Sequence, residues 1–76
     1  MINDIKRIMV ETLNLNEEQI KPESNLKEDL EIDSLAAVEL ALELETELGI
    51  RIEDEELAKL ITFQDIVDIV TSKKEQ

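Results

Sequence analysis

The sequence contains no cysteine and no histidine. Without cysteine, the chain can form no disulfide of its own and offers no thiolate ligand to a metal. Without histidine, it lacks the usual general base of enzymes and the commonest zinc ligand. The thiol, imidazole and zinc routes to catalysis are therefore closed within this chain.

Basic residues are also scarce, with 8 Lys and Arg against 20 Asp and Glu and a net charge of −12. Such a charge opposes nucleic-acid binding, which needs basic patches, and attracts basic protein surfaces. The amino terminus has no signal-like apolar segment, and no apolar run approaches membrane-spanning length. We therefore expect a cytoplasmic protein that binds basic protein partners and neither nucleic acid nor membrane.

The length of 76 residues predicts one small domain that occupies residues 1–76. An apolar fraction of 42% with clear periodicity argues against the disorder that strong acidity alone would suggest. Four segments show the helical period, and no alternating strand pattern of useful length competes with them. The sequence therefore predicts an all-α fold in which the third helix is short.

Asn3 or Asp4 is the candidate cap of the first helical segment. Its residues at helical spacing are Ile2, Ile5, Ile8, Met9, Thr12 and Leu13. A long polar connection over residues 14–33 follows it. Four apolar side chains are the expected anchors of this connection to the core: Leu15, Ile20, Leu26 and Leu30.

The second helix is predicted over residues 34–48, because Gly49 is a natural left-handed terminator. Asp54 is the expected cap of the short third helix, and residues 62–65 resemble the capping box of the fourth. The third helix is expected to turn three apolar residues inward: Leu57, Leu60 and Ile61.

Two apolar stripes run along helix 34–48. At about 100° per residue, the first is a broad core stripe; it contains Ala37, Leu40, Ala41, Leu44 and Leu48. The second lies roughly 145° around the same helix; it contains Leu35, Val38 and Leu42, with Glu39, Glu43 and Glu45 at its edges. This second stripe either packs against the long connection or forms an acid-rimmed surface for binding proteins.

The tripeptide Asp33-Ser34-Leu35 places one hydroxyl at the positive end of this helix. Asp and Ser are common capping residues, so an ordinary helix start is one interpretation. Only carboxylates are available as bases, so Ser34 is not expected to be a catalytic nucleophile. A phosphate-type modification would instead be favoured there by free amide groups and the helix dipole.

Asp29, Glu31 and Asp33 have the spacing of the first ligands of an EF-hand calcium loop. Ser34 then stands where glycine is required, and Leu40 stands where the bidentate glutamate belongs. The sequence therefore predicts no specific metal site.

The combined motifs resemble those of bacterial acyl carrier proteins of fatty acid synthesis, over nearly the whole chain. The segments that carry the resemblance are Glu28-Asp29-Leu30-Glu31-Ile32-Asp33-Ser34-Leu35, Val38-Glu39-Leu40, Asp54-Glu55-Glu56 and Thr62-Phe63-Gln64-Asp65. The resemblance implies a four-helix bundle with three main helices, one short helix and a long loop between helices 1 and 2. It also implies a monomer that serves enzymes without being one.

The resemblance implies that a transferase moves 4′-phosphopantetheine from coenzyme A onto Ser34, which Asp33 and Leu35 flank. The terminal thiol of the arm then carries acyl groups as thioesters. Six residues correspond to positions at which the family meets partner enzymes: Leu35, Val38, Glu39, Leu42, Glu45 and Asp54. Eight correspond to its acyl-sheltering cavity: Leu26, Leu40, Ala41, Leu44, Ile52, Leu57, Leu60 and Ile66.

Three residues depart from the family pattern. Glu31 stands where glycine is usual, so a positive φ there would make the turn strained. Ala36 replaces a common acidic residue and removes one carboxylate from the docking rim. Leu57 replaces what is often a smaller residue, which predicts a narrower cavity.

Three functions remain open from the sequence. The first is a carrier of fatty acyl chains, which the heavy acidity and the close motif match favour. The second is a carrier for a polyketide, peptide or other specialised pathway. The third, of a different class, is an acidic adaptor that binds basic partners without modification.

Overall fold

Four α-helices account for most of residues 2–74, which the computed structural model describes. In chain order they are α1 (Ile2–Leu13), α2 (Ser34–Leu48), α3 (Asp54–Leu57) and α4 (Phe63–Lys74). Three are long and α3 is a single turn, so the all-α prediction is confirmed. Within the described residues, the β contact is one isolated antiparallel bridge between Asn25 and Thr62.

One apolar core joins the three long helices to the connection between α1 and α2. Its buried members are Ile5, Ile8, Met9, Ile20, Leu26, Leu30, Ile32, Leu40, Ala41, Leu44, Ile52, Phe63, Ile66, Val67 and Val70. The expected anchors Ile20, Leu26 and Leu30 are among them, and Leu15 packs half-buried against the same core. The connection is therefore part of the packed structure and covers one side of the bundle.

Helix α1 begins earlier than its predicted caps. Asn3 and Asp4 both lie inside the first turn, because the helix already includes Ile2. The prediction that either residue caps α1 is therefore wrong. The spacing of Ile5, Ile8 and Met9 places all three on the buried face, as the helical period predicts.

The connection between α1 and α2 contains one 3₁₀ turn, Glu17–Gln19, which is closed by a capping box. Asn16 Oδ1 accepts from the Glu18 amide at 3.0 Å, and Gln19 Oε1 accepts from the Asn16 amide at 3.0 Å. Buried Ser24 then donates its hydroxyl to the Gln19 carbonyl at 2.9 Å. These bonds satisfy the backbone of a segment that has no long helix or strand of its own.

Main-chain hydrogen bonds attach the connection to the start of α4. Leu26 N donates to the Ile61 carbonyl at 2.9 Å, and Phe63 N donates to the Ser24 carbonyl at 3.0 Å. Gln64 N donates to the Pro22 carbonyl at 3.0 Å. Two segments distant in sequence are therefore held in register without a sheet.

Helix α3 begins one residue after Glu53, which is its cap, so the prediction that Asp54 is the cap is wrong. The Glu53 amide donates to Glu56 Oε1 at 3.0 Å, and Lys73 Nζ donates to the same oxygen at 2.8 Å. Leu57 and Leu60 pack half-buried against the core. Ile61 is 60% exposed, so its predicted inward position is also wrong.

Helix α4 begins with the predicted capping box. Asp65 Oδ2 accepts from the Thr62 amide at 3.0 Å and from the Ile61 amide at 2.9 Å. The Asp65 amide donates in return to Thr62 Oγ1 at 3.3 Å. The backbone bonds from Thr62 and then Ile61 lower the pKa of the Asp65 carboxyl.

We expect Asp65→Ala to lower the free energy of unfolding at pH 7 by about 1 kcal/mol, because two amides lose their acceptor. The folded-state pKa of Asp65 lies below its unfolded value, so the stabilisation is present above about pH 4. It is lost as the pH falls through the lower folded value. Urea unfolding of both chains from pH 7 to pH 3 measures this difference.

Asp68→Ala is the matched control, because it removes the same charge from α4 without touching the cap. Its effect at pH 7 should be smaller than that of Asp65→Ala. Equal losses from both variants, or a difference that persists unchanged at pH 3, would contradict the capping role.

Candidate functional site

The start of α2 is capped by Asp33, and Ser34 is the first helical residue. Asp33 Oδ1 accepts from the Ala36 amide at 2.8 Å, and the Asp33 carbonyl accepts from the Ala37 amide at 2.9 Å. Asp33 therefore caps the helix, and the Ser34 side chain takes no part in capping.

Ser34 is exposed, and its hydroxyl has no hydrogen-bond partner among residues 2–74. Asp33 satisfies the amides of Ala36 and Ala37, whereas those of Ser34 and Leu35 have no partner within the same residues. Free amides and the dipole at a helix start stabilise a phosphate group. The site therefore fits a phosphate ester on the hydroxyl, and it contains no residue arranged to make that hydroxyl a nucleophile.

Glu31 adopts a positive φ of 55°, so the strained turn that the sequence allowed is present. The turn is closed by the Ile32 amide, which donates to the Leu26 carbonyl at 2.8 Å. Ile32 is buried in the core although its neighbours in sequence are acidic and exposed. The left-handed residue thus reverses the chain so that Ile32 enters the core just before α2 begins.

The second apolar stripe of α2 faces away from the core. Leu35 is 69% exposed, Val38 44% and Leu42 56%, so the interpretation that it packs against the connection is wrong. We call these three residues the α2 stripe. Glu39 is exposed beside it, and Asp54 is exposed at the first position of α3.

Glu45 differs from the other residues that the resemblance assigned to partner contact. It is half-buried, and its Oε2 accepts from the Ile52 amide at 2.8 Å. Glu45 therefore ties the end of α2 to the segment that leads into α3. Sequence patterns do not indicate this bond, because the two residues are seven positions apart and lie in different elements.

An apolar cavity of about 60 Å³ lies between α2, α4 and the segment that contains α3. Its lining residues are Leu26, Ile32, Ala37, Leu40, Ala41, Leu44, Ile52, Leu57, Leu60 and Ile66. All eight residues that the sequence assigned to a cavity line it. Ile32 and Ala37 were missed as lining residues. The available signal for Ile32 was a lone large apolar residue between acidic neighbours, and Ala37 was placed only on the core stripe of α2.

Two carboxylates near the start of α2 accept hydrogen bonds from backbone amides. Asp29 Oδ2 accepts from the Asn25 amide at 2.7 Å, and Asp33 caps the helix. Between residues 2 and 74, no group of three or more His, Cys, Asp or Glu side chains is arranged to hold a metal ion. No helix in that range is long and apolar enough to cross a membrane.

Comparison with known proteins gives a family match over most of the chain. The family model described as "Phosphopantetheine attachment site" matches residues 3–70. The chain belongs to the acyl carrier protein family. Its cofactor, predicted from the sequence, is confirmed as 4′-phosphopantetheine, and the free hydroxyl and helix start described above fit that group.

Two curated acyl carrier proteins illustrate the similarity to this family. The protein of Wolinella succinogenes is 45% identical over 74 residues, which cover 97% of each chain. The protein of Thermosynechococcus vestitus is 41% identical over 73 residues, which cover 96% of this chain and 90% of its own.

A solved structure gives the same result for the fold. The crystal structure of an acyl carrier protein from Thermotoga maritima superposes with a TM-score of 0.85 at 35% identity. The match covers 97% of this chain and 86% of the other. The arrangement of helices is therefore shared with a solved member of the acyl carrier protein family.

We expect Glu31→Gly to stabilise this carrier protein by about 0.5–1 kcal/mol, because glycine adopts a positive φ without steric cost. Such a change raises the melting temperature of a domain of this size by a few degrees. Circular dichroism during heating measures it.

Glu31→Gln is the control for charge, because it removes one carboxylate but leaves a side chain at the same φ. Glu28→Gly is the control for chain entropy, since Glu28 has no positive φ. Only Glu31→Gly should show the rise in melting temperature that comes from relief of the backbone strain. If Glu31→Gln stabilises the chain equally, relief of charge repulsion explains the effect and the strain does not.

Proposed function

We propose that the chain carries growing fatty acyl groups and presents them to the enzymes of fatty acid synthesis. The attachment residue is Ser34. The observation that carries the proposal is its exposed, unbonded hydroxyl at the start of α2, inside the segment that matches the phosphopantetheine attachment family. When bound, the cofactor supplies a thiol that holds the acyl group as a thioester.

The residues around Ser34 hold and orient the phosphate without reacting. Asp33 fixes the first turn of α2 by its bond to the Ala36 amide. The unpartnered amides of Ser34 and Leu35 and the helix dipole favour the negative charge of the ester. Catalysis is left to the partner enzymes, which makes this chain a carrier and not an enzyme.

The α2 stripe and its acidic rim are the proposed docking surface. Exposed Leu35, Val38 and Leu42 offer apolar contact area, while Glu39 and Asp54 offer charge to basic side chains. An apolar centre with a polar rim is the usual anatomy of a protein interface. The net charge of −12 adds long-range attraction to basic enzymes.

The apolar cavity is the proposed shelter for the acyl chain. Its lining is aliphatic, so hydrocarbon enters it without desolvating a polar group. A cavity of about 150 Å³ takes a molecule the size of benzene. The present volume of about 60 Å³ is smaller, so the walls must move apart to admit a chain of several carbons.

The attachment proposal predicts a mass gain. The purified chain, incubated with coenzyme A, Mg²⁺ and a phosphopantetheinyl transferase, should gain the mass of one phosphopantetheine group. Ser34→Ala should gain none, and Ser72→Ala, which removes an exposed hydroxyl on α4, should gain it in full. Intact-mass spectrometry measures the gain. No mass gain in the unsubstituted chain, or the same mass gain in Ser34→Ala, would contradict the carrier function.

The docking proposal predicts slower transfer by partner enzymes. Val38→Glu places a charge in the apolar stripe, and Glu39→Lys sets a cation against a basic partner. Each should lower kcat/KM of a fatty acid synthesis enzyme for the loaded chain about tenfold, which corresponds to the loss of one good interface contact.

Glu23→Lys is the matched control, because it makes the same charge change at an exposed position of the connection. The kcat/KM of the enzyme for loaded Glu23→Lys should stay within about threefold of its value for the loaded chain without substitution, since only long-range attraction is weakened. Circular dichroism should show intact folds throughout. If all three variants slow transfer equally, the α2 stripe is not the docking surface.

A further inference from the structure

The segment between α2 and α3 alternates between inward and outward side chains, as a short extended segment does. Ile52 is buried, whereas Arg51 and Glu53 on either side of it are exposed. Because these two charged side chains share the outer face, they meet, and Arg51 Nε donates to Glu53 Oε1 at 2.7 Å. The segment therefore holds one guanidinium on the outer surface of the molecule.

Arg51 lies beside residues of the proposed docking surface. The hydrogen bond and the charge of Glu53, and then the charge of Glu45, raise the pKa of Arg51. Glu45 follows Leu42 of the α2 stripe by three positions, so these two side chains are neighbours on the surface of α2. Asp54, the exposed acid at the first position of α3, directly follows Glu53. One cation is therefore set at the acidic rim of the α2 stripe.

The ion pair of Arg51 does not join separate parts of the fold. The Arg51 side chain is 84% exposed and that of Glu53 is 57% exposed, and an ion pair at such exposure contributes little to stability. Lys73 on α4 is the contrast, because its side chain is 21% exposed and donates to Glu56 on α3 at 2.8 Å. Lys73 therefore joins two helices, whereas Arg51 leaves most of its surface open to an outside group.

We propose that Arg51 is a specificity-determining residue of the docking surface, and that it selects partner enzymes which place a carboxylate opposite it. On this side of the molecule Glu39 and Asp54 are exposed acids, and Arg51 is an exposed base. A uniformly basic partner sets a cation against Arg51, whereas one carboxylate among basic side chains complements the whole pattern. Arginine suits this role, because its planar guanidinium forms paired hydrogen bonds with a carboxylate. The inference rests on the proposed function and adds the charge pattern that its partner carries.

The sign of the effect of Arg51→Ala tests the inference. Removal of a cation makes the chain more acidic, so long-range attraction to a basic enzyme alone would raise kcat/KM. Loss of a contact with a carboxylate lowers kcat/KM instead. We expect Arg51→Ala to lower about fivefold the kcat/KM of the organism's own condensing enzyme of fatty acid synthesis for the loaded chain, which corresponds to the loss of one interface contact. Steady-state kinetics measure this change.

Three further variants separate this contact from other roles of Arg51. Lys21→Ala removes one exposed cation from the connection, so it should leave kcat/KM unchanged or raise it by less than about twofold. Arg51→Lys keeps the charge but not the planar guanidinium, so its loss should be smaller than that of Arg51→Ala. Glu53→Gln breaks the ion pair but keeps the guanidinium, so kcat/KM should stay within about twofold of its value for the unsubstituted chain.

Two results would overturn the role of Arg51. One is a kcat/KM for Arg51→Ala that equals or exceeds that for Lys21→Ala, and the other is an equal loss in Arg51→Ala and Glu53→Gln. If the condensing enzyme does not use the unsubstituted chain, the proposed function is contradicted and the inference is lost with it. If the enzyme uses the unsubstituted chain and Arg51→Ala equally well, the carrier function stands and only the inference about Arg51 is lost.

Discussion

The hydrogen bond from the Ala36 amide to Asp33 Oδ1 is the contact on which the rest of the site depends. It fixes where α2 begins, and the start of a helix sets the direction of every later side chain through the 3.6-residue period. From that start, Leu40 and Leu44 point into the core while Val38 and Leu42 point to solvent. Because Asp33 caps the helix, the Ser34 hydroxyl is not needed for capping and stays exposed at the start of α2.

Local pattern was enough to predict most of the fold. Helix α2 ends at the predicted Gly49, which has φ 66°, and the capping box at Thr62 and Asp65 is present. These features depend on residues a few positions apart, for which the sequence carries direct information. The cavity lining followed from the inward faces of the helices together with the family resemblance.

What the sequence did not predict depends on contacts between distant elements. Ile61 fits an inward helical position, but its segment has left the helix and its backbone pairs with Leu26. Glu45 fits an exposed rim, but the fold brings the Ile52 amide to it. Tertiary contacts decide such positions, and periodicity along one helix does not report them.

The backbone pairing between the connection and the start of α4 has a consequence for how the chain folds. Ser24 and Phe63 come from opposite halves of the sequence, and joining them closes a long loop at an entropic cost. Helices form from local contacts, and they form faster than distant segments of the chain come together to close a long loop. Because Leu26 lines the cavity and pairs with Ile61, the cavity is completed only when the two halves meet. A nascent chain that ends before α4 therefore has no finished interior.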